Sequence, residues 1–256
     1  MRIEVVTLFP ELIRAALGFG VIGRALTRGL AAVGTEDPRV HTSDAHRTVD
    51  DRPYGGGPGM VLKPGPLAAA IAAAQARLPE GSPRICLSAA GERFGQRHAR
   101  ALAALPGFVL VAGRYEGVDE RVLVTSIDQE LSIGDFVLSG GEIPALAVID
   151  AVVRLLPGVL GDERSSAEES FAEGLLDWPQ YTRPVEFAGL GVPDVLLSGD
   201  HAGIARWRLK QALVRTWERR PDLIVKAQLS REASRLLDEH LAERAAARAA
   251  TIRGEI

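Results

Sequence analysis

The chain has 256 residues, 46% of them hydrophobic, and its 30 basic and 33 acidic residues give a formal net charge of −3. This length can bury one sizeable core, or one core with a smaller second domain, and the charge does not by itself indicate a nucleic-acid-binding protein. The single cysteine, Cys86, excludes a disulfide framework within the chain, and no apolar stretch reaches the roughly 18 residues of a membrane span. Because residues 1–4 also lack a signal-peptide pattern, we expect a cytoplasmic protein without a membrane segment.

Apolar runs and helical periods alternate over the first 160 residues. Three runs predict buried strands, at residues 2–9, 84–88 and 108–112. Four patterns predict helices, at residues 10–17, 66–78, 95–105 and 142–156. This alternation is typical of an α/β fold in which helices cover a mostly parallel sheet. We therefore expect the first domain to span residues 1–160.

The chain changes character after this first domain. Residues 161–177 contain six acids and one base without a clear period, which predicts a flexible interdomain linker. Helical patterns at residues 202–219 and 231–249 predict a small all-helical domain over residues 178–256. Within it, residues 201–220 hold six bases and one acid. That excess of positive charge would suit phosphate contacts, and a solvated helix face explains it equally well.

One glycine-rich run matches a dinucleotide-binding pattern. Residues 18–23 have the spacing G-x-G-x-x-G, but they follow a predicted helix, whereas such loops directly follow a strand. A nucleotide-dependent oxidoreductase is therefore one alternative function, and tight binding of a nicotinamide cofactor would support it. The histidines show no H-E-x-x-H spacing, which disfavours a metal hydrolase.

Three other segments carry most of the candidate chemistry. Residues 47–60 combine glycines, which let the backbone approach a ligand, with Asp and Arg side chains; an ordinary flexible loop is the alternative. Residues 113–121 follow the predicted strand 108–112 at its carboxyl end, where ligands bind in open α/β sheets. Residues 132–144 combine apolar side chains that can sandwich an adenine with glycines that leave backbone groups free to bind its edge. The alternative interpretation of this segment is a turn that enters a helix.

These segments together resemble the bacterial tRNA (guanine-N1)-methyltransferases of the SPOUT class, the TrmD family. The resemblance is carried, in the expected order, by RTVDDRPYGGGPGM at 47–60, GRYEGVDER at 113–121, SIGDFVLSGGE at 132–142 and WRLKQ at 207–211. It implies a SPOUT-type parallel sheet with a deep trefoil knot and a helical tRNA-binding domain. It also implies methyl transfer from S-adenosylmethionine to N1 of the guanine immediately 3′ of the anticodon. The implied partners are tRNA, Mg²⁺ and a second copy of the chain, with which the active site is shared.

The resemblance also implies roles for particular residues. Arg154 would donate to guanine O6, Glu169 would be the general base, and Glu116 would be a possible Mg²⁺ ligand. The implied cofactor-binding residues are Leu87, Ser88, Gly113, Tyr115, Glu116, Ser132, Ile133, Gly134, Asp135, Phe136, Val137, Leu138, Gly140, Gly141 and Pro144. The implied tRNA-binding residues are Asp50, Arg52, Ser165, Ser170, Arg206, Arg208, Lys210 and Arg215.

Glu169 departs from the family pattern, which has aspartate at this position before Ser-Phe. Here the chain reads Glu168, Glu169, Ser170 and Phe171. The extra methylene moves the carboxylate by roughly 1 to 1.5 Å, and a misplacement of about 1 Å can cost on the order of a hundredfold in rate. We expect Glu169 to act as the base, with Glu168 as its alternative. The alternative function is a tRNA-binding SPOUT module with weakened or lost catalysis.

Overall fold

The computed structural model describes residues 1–161, 169–172 and 174–252, which fall into two compact units. Unit 1 comprises residues 1–163 and unit 2 residues 164–256. In the described part of the chain, no helix is both long and apolar enough to cross a membrane.

A five-stranded parallel sheet forms the centre of unit 1. The strands of this unit are β1 (Arg2–Val6), β2 (Ala32–Glu36), β3 (Asp50–Asp51), β4 (Val61–Leu62), β5 (Arg84–Arg93), β6 (Gly107–Ala112) and β7 (Gln129–Ser132). Five of them form the sheet in the order β2-β1-β6-β5-β7, and each neighbouring pair is parallel. The strands β3 and β4 form a separate antiparallel pair. The predicted α/β class with a mostly parallel sheet is confirmed.

Helices bury both faces of this sheet. They are α1 (Pro10–Leu17), α2 (Gly20–Thr27), α3 (Pro64–Gln75), α4 (Gln96–Ala103), α5 (Glu120–Ser126) and α6 (Glu142–Val153). Because side chains alternate along a strand, Phe108 and Leu110 of β6 pack in one hydrophobic cluster with α1, α2, α4 and α6, while Val109 and Val111 pack in the other with α3 and α5. The apolar runs that predicted β1, β5 and β6 are thus strands whose side chains are buried on both faces of the sheet.

Strand β5 is longer than the apolar run that predicted it. Beyond residue 88 it continues to Arg93 because it pairs with β7 across an irregularity between Leu87 and Glu92. Gly91 permits this close approach, since a Cβ there would lie 2.5 Å from the carbonyl carbon of Glu130. Backbone pairing, rather than burial, extends the strand past the cavity described below.

Unit 2 is mainly helical, and the expectation of an all-helical domain is wrong in one detail. Its helices are α7 (Asp194–Leu197), α8 (His201–Arg219), α9 (Pro221–Lys226) and α10 (Arg231–Ile252), and its strands β8 (Glu186–Phe187) and β9 (Leu190–Gly191) form a hairpin. Positive φ angles at Ala188 and Gly189 give the two-residue turn that matches the twist of paired strands. A run as short as this has no strand period for sequence reasoning to detect.

The end of the predicted linker is attached to unit 2. Leu175 packs beside the core residues Leu213 and Leu236, and the Leu176 N–H donates to the buried hydroxyl of Thr216 at 2.9 Å. The acidic composition of residues 161–177 gave no sign of these two contacts. Both are made by residues of the segment 174–177, at the end of the predicted linker.

Candidate active site

A cavity of about 390 Å³ lies beside β5 and the carboxyl ends of β6 and β7. Three segments form most of its wall, at residues 86–90, 113–118 and 130–141. The parallel strands β5, β6 and β7 are neighbours in the sheet, so segments that are far apart in sequence meet at one edge. The position at the end of β6 is the one that the sequence favoured for a site.

All but one of the residues expected to hold the cofactor line this cavity. They are Leu87, Ser88, Gly113, Tyr115, Glu116, Ser132, Ile133, Gly134, Phe136, Val137, Leu138, Gly140, Gly141 and Pro144. Asp135 does not line it: its side chain is 93% exposed, 3.9 Å from the guanidinium of Arg93. The positive φ of Gly134 turns the chain at this point.

Glycines allow residues 133–141 to approach the end of β6. The Gly141 N–H donates to the Gly113 carbonyl at 2.9 Å. A Cβ on Gly141 would lie 2.6 Å from the Cα of Ala112, so any side chain would push the two segments apart. The glycine run of the third segment is therefore a packing requirement of the cavity.

The loop at residues 47–60 reaches the same site. The Glu116 N–H donates to the Met60 carbonyl at 2.9 Å, and Leu62 forms a parallel bridge with Val118. The carboxylate of Glu116 lies directly against Gly59, where a Cβ would be 2.5 Å from the Glu116 Cγ. The segments 47–60 and 113–121 therefore meet at Glu116.

Sequence reasoning missed a buried ionic group beside the cavity. The side chain of Glu142 is 1% exposed; one oxygen accepts from Thr7 at 2.8 Å and the other from Arg114 at 3.0 Å. Arg114 also donates to the Ser139 carbonyl at 3.0 Å, and its guanidinium carbon lies 4.4 Å from the Phe9 ring centroid. Arg114 and Glu142 stand in the segments already singled out, but nothing in the sequence links them to Thr7, 135 residues from Glu142.

Two carboxylates and one guanidinium, that of Arg114, line the cavity. Glu116 and Glu130 both line it, and burial followed by the charge of Glu130 raises the pKa of the Cys86 thiol to about 12. Cys86 is therefore a small packing residue of the wall, as its strand context suggested. Within residues 1–161, 169–172 and 174–252, no cluster of three or more His, Cys, Asp or Glu side chains could hold a metal ion by itself.

Comparison with known proteins identifies the family. The model of the family "tRNA (Guanine-1)-methyltransferase TrmD" matches residues 1–226. The chain belongs to the TrmD family. A tRNA (guanine-N(1)-)-methyltransferase of Methylococcus capsulatus is 59% identical over 239 residues, which cover 93% of this chain and 95% of that protein. Proteins of the same name from Halorhodospira halophila and Escherichia coli are each 55% identical, over 97% and 96% of this chain and 94% and 96% of theirs.

The residues expected to perform TrmD catalysis stand in different units. Arg154 is half-buried and ends α6 in unit 1, where its N–H donates to the Asp150 carbonyl at 3.2 Å. Glu169 is half-buried in unit 2. Its proposed alternative, Glu168, and the expected tRNA contact Ser165 lie outside the described residues.

The other expected tRNA contacts of this TrmD protein are spread over both units. Asp50 is half-buried in β3 and Arg52 is exposed just beyond it. The Ser170 hydroxyl accepts from the Asp177 N–H at 2.9 Å, so it has a local structural role.

The basic helix of this TrmD protein is partly neutralised by its neighbour. Arg206 lies 3.5 Å from Glu239 and Lys210 lies 3.1 Å from Glu243, both acids of α10. Arg208 stacks over Trp178, with its guanidinium carbon 4.9 Å from the ring centroid. Arg215 forms no ion pair with any residue that the structure describes. A charge count along the chain could not reveal the pairs of Arg206 and Lys210 with Glu239 and Glu243, because each acid follows its base by more than 30 residues.

The glycine run that matched a dinucleotide pattern has another role. Residues 18 and 19 join α1 to α2, residues 20–23 begin α2, and none of the six lines the cavity. A Cβ on Gly23 would meet the carbonyl carbon of Gly18 at 2.6 Å, so this glycine permits the tight junction between the helices.

Proposed function

We propose that the chain transfers a methyl group from S-adenosylmethionine to N1 of the tRNA guanine immediately 3′ of the anticodon. The observation that carries the proposal is the cavity at the ends of β6 and β7. Two of its three wall segments, residues 113–118 and most of residues 130–141, belong to segments through which the chain resembles the TrmD family, and the family match extends over residues 1–226.

The cavity suits S-adenosylmethionine in size and chemistry. Its volume of about 390 Å³ falls within the range of small-molecule sites. Leu87, Ile133, Leu138 and Pro144 offer apolar contacts for an adenine, and the neighbouring glycines leave backbone groups free to bind its edge. The carboxylates of Glu116 and Glu130 favour a ligand with positive sulfonium and ammonium groups.

The proposed reaction needs a base and an electrostatic donor. N1 of guanine carries a proton and becomes a good nucleophile when that proton leaves, while negative charge develops on O6. We assign the base to Glu169 and stabilisation of O6 to Arg154, whose guanidinium stays charged and presents several fixed donors. Bound S-adenosylmethionine supplies an electrophilic methyl group, and the cavity wall holds it in line with N1.

We propose the knot, the dimer and the domain roles together. The contact of residues 113–118 with residues 133–141 at the strand ends is consistent with the trefoil knot of SPOUT proteins. Apolar side chains at the cavity rim support a homodimer, since Val137 is 95% exposed and Ile143 is 54% exposed. In this scheme residues 1–160 bind the cofactor, residues 161–177 connect, and residues 178–256 bind tRNA.

We also propose how the remaining partners bind. Mg²⁺ would be held by Glu116 with ligand and water oxygens, because Mg²⁺ sites commonly use only one or two protein carboxylates. Asp50, Arg52, Ser165, Ser170, Arg206, Arg208, Lys210 and Arg215 are the proposed tRNA contacts, in which basic groups position the phosphates and the pocket binds the extruded guanine. A tRNA substrate is consistent with a cytoplasmic location.

Labelled-methyl transfer tests the proposal. We expect transfer to a tRNA transcript with guanine 3′ of the anticodon and none to the transcript with adenine at that position. Transfer to neither transcript, with S-adenosylmethionine still bound, would refute the proposed methyltransferase activity. It would support the alternative function, a tRNA-binding module with weakened or lost catalysis. Nicotinamide binding without S-adenosylmethionine binding would support the oxidoreductase.

A further inference from the structure

Arg114 joins two parts of the cavity that are otherwise connected mainly through glycine backbone. Its guanidinium pairs with Glu142 at the start of α6 and donates to the Ser139 carbonyl in the loop before that helix, both at 3.0 Å. Its stem also lies across Gly140, where a Cβ would meet the Arg114 Cδ at 2.6 Å. Arg114 therefore contacts the part of the cavity wall that residues 139–141 form.

Glu142 is itself fixed from the other side. Its second oxygen accepts the Thr7 hydroxyl at 2.8 Å, and that hydroxyl accepts the Phe9 N–H at 2.9 Å. Thr7 and Glu142 are both 1% exposed, so neither has water as an alternative partner. The chain of contacts runs from the end of β1 through Glu142 and Arg114 to the Ser139 carbonyl.

We propose that Arg114 is a positioning residue that holds residues 134–141 in the conformation that binds S-adenosylmethionine. A planar guanidinium can donate to the carboxylate and to the carbonyl at once, whereas an ammonium is a compact point charge on a flexible stem. The proposal rests on the proposed binding of S-adenosylmethionine. A purely structural alternative is that Arg114 only neutralises the buried carboxylate of Glu142.

The variant Arg114→Lys separates these two roles. Lysine keeps a positive charge beside Glu142 but loses the simultaneous contact with the Ser139 carbonyl. A matched control is Arg77→Lys: Arg77 bridges the fully buried Glu4 at 2.7 Å and Glu36 at 2.6 Å, and none of these three residues lines the cavity. Both variants make the same chemical change beside a buried glutamate.

The first measurement is hydrogen–deuterium exchange of the ligand-free full-length protein. We expect Arg114→Lys to accelerate exchange in residues 134–141 by about tenfold, and Arg77→Lys to leave that segment unchanged. Calorimetric titration with S-adenosylmethionine should then show a Kd raised about tenfold for Arg114→Lys and within twofold of the parent for Arg77→Lys.

Each outcome distinguishes this proposal from the proposed function. If parent protein binds S-adenosylmethionine and Arg114→Lys matches Arg77→Lys in exchange and Kd, the positioning role is overturned alone. If the parent protein itself does not bind S-adenosylmethionine, both proposals fall. Should Arg114→Lys not fold, the double variant Arg114→Gln with Glu142→Gln removes the buried carboxylate together with its partner cation, and the same faster exchange and weaker binding are expected.

Discussion

Replacing Gly59 by alanine should displace Glu116, the residue at which the segments 47–60 and 113–121 meet. Gly59 has a φ of +77°, and a Cβ there would lie 2.5 Å from Cγ and 2.7 Å from Cδ of Glu116. An ordinary contact of this kind is roughly 3.5 to 4 Å, so the Glu116 side chain has to move by about 1 Å. A shift of that size in a binding group can lower a rate on the order of a hundredfold, and we expect such a loss in kcat/KM for methyl transfer.

Gly81→Ala is the matched control for this variant. Gly81 has a φ of +78° with nothing within 4 Å of its added Cβ, and it lies outside the cavity. Both variants therefore carry the same left-handed backbone cost, about 1 to 2 kcal/mol, which urea denaturation will measure. The assay is the initial rate of labelled-methyl transfer to tRNA. A Gly59→Ala rate within threefold of the Gly81→Ala rate would refute the argument that the contact positions Glu116.

Three further predictions test the base, unit 2 and the cysteine. Glu169→Gln should abolish single-turnover transfer while leaving S-adenosylmethionine binding intact, and Glu169→Asp should retain transfer; full activity of the glutamine variant would exclude Glu169 as the base. Thr216→Val should lower the free energy of unfolding by about 1 to 3 kcal/mol, because the Leu176 N–H loses its acceptor; denaturation that matches the parent would contradict this. Cys86 should resist thiol reagents at pH 8, since burial raises its pKa to about 12 and leaves about one thiolate in ten thousand; rapid labelling of the folded protein would show that the thiol is accessible.

Sequence patterns predicted the parts of the fold that burial determines. The run at residues 108–112 became β6, whose bounds are Gly107–Ala112, because every side chain of that strand is enclosed by helices. Strand β2 (Ala32–Glu36) escaped prediction because it lies at the edge of the sheet and its residues are short or polar. Helix α2 escaped prediction because Gly20 and Gly23, two glycines of the G-x-G-x-x-G run, lie within it and lower its helix propensity.

In the site, likewise, contiguous sequence segments could be predicted, whereas contacts between residues far apart in the sequence could not. Resemblance indicated that Gly113, Ile133 and Leu138 belong to one site because each stands in a contiguous, recognisable segment, and all three line the cavity. It did not place Thr7, whose partner Glu142 is 135 residues away, because a single buried hydrogen bond leaves no periodic or compositional signal. Polar contacts of this kind follow from sheet order, which brings the end of β1 beside the end of β6.

The position of Glu169 bears on how its extra methylene is accommodated. Ser170, the next residue, accepts the Asp177 N–H at 2.9 Å, and Leu176 is bound to Thr216 of helix α8. The backbone beside the proposed base is thus fixed to the core of unit 2, and the rotamers of the longer side chain are left to absorb the roughly 1 Å difference from aspartate. Because unit 2 also carries the basic helix α8, docking of that helix on tRNA would move Glu169 with it. In the proposed reaction, placement of the base Glu169 and contact with the RNA are then properties of the same folded unit, separate from the unit whose residues line the cavity.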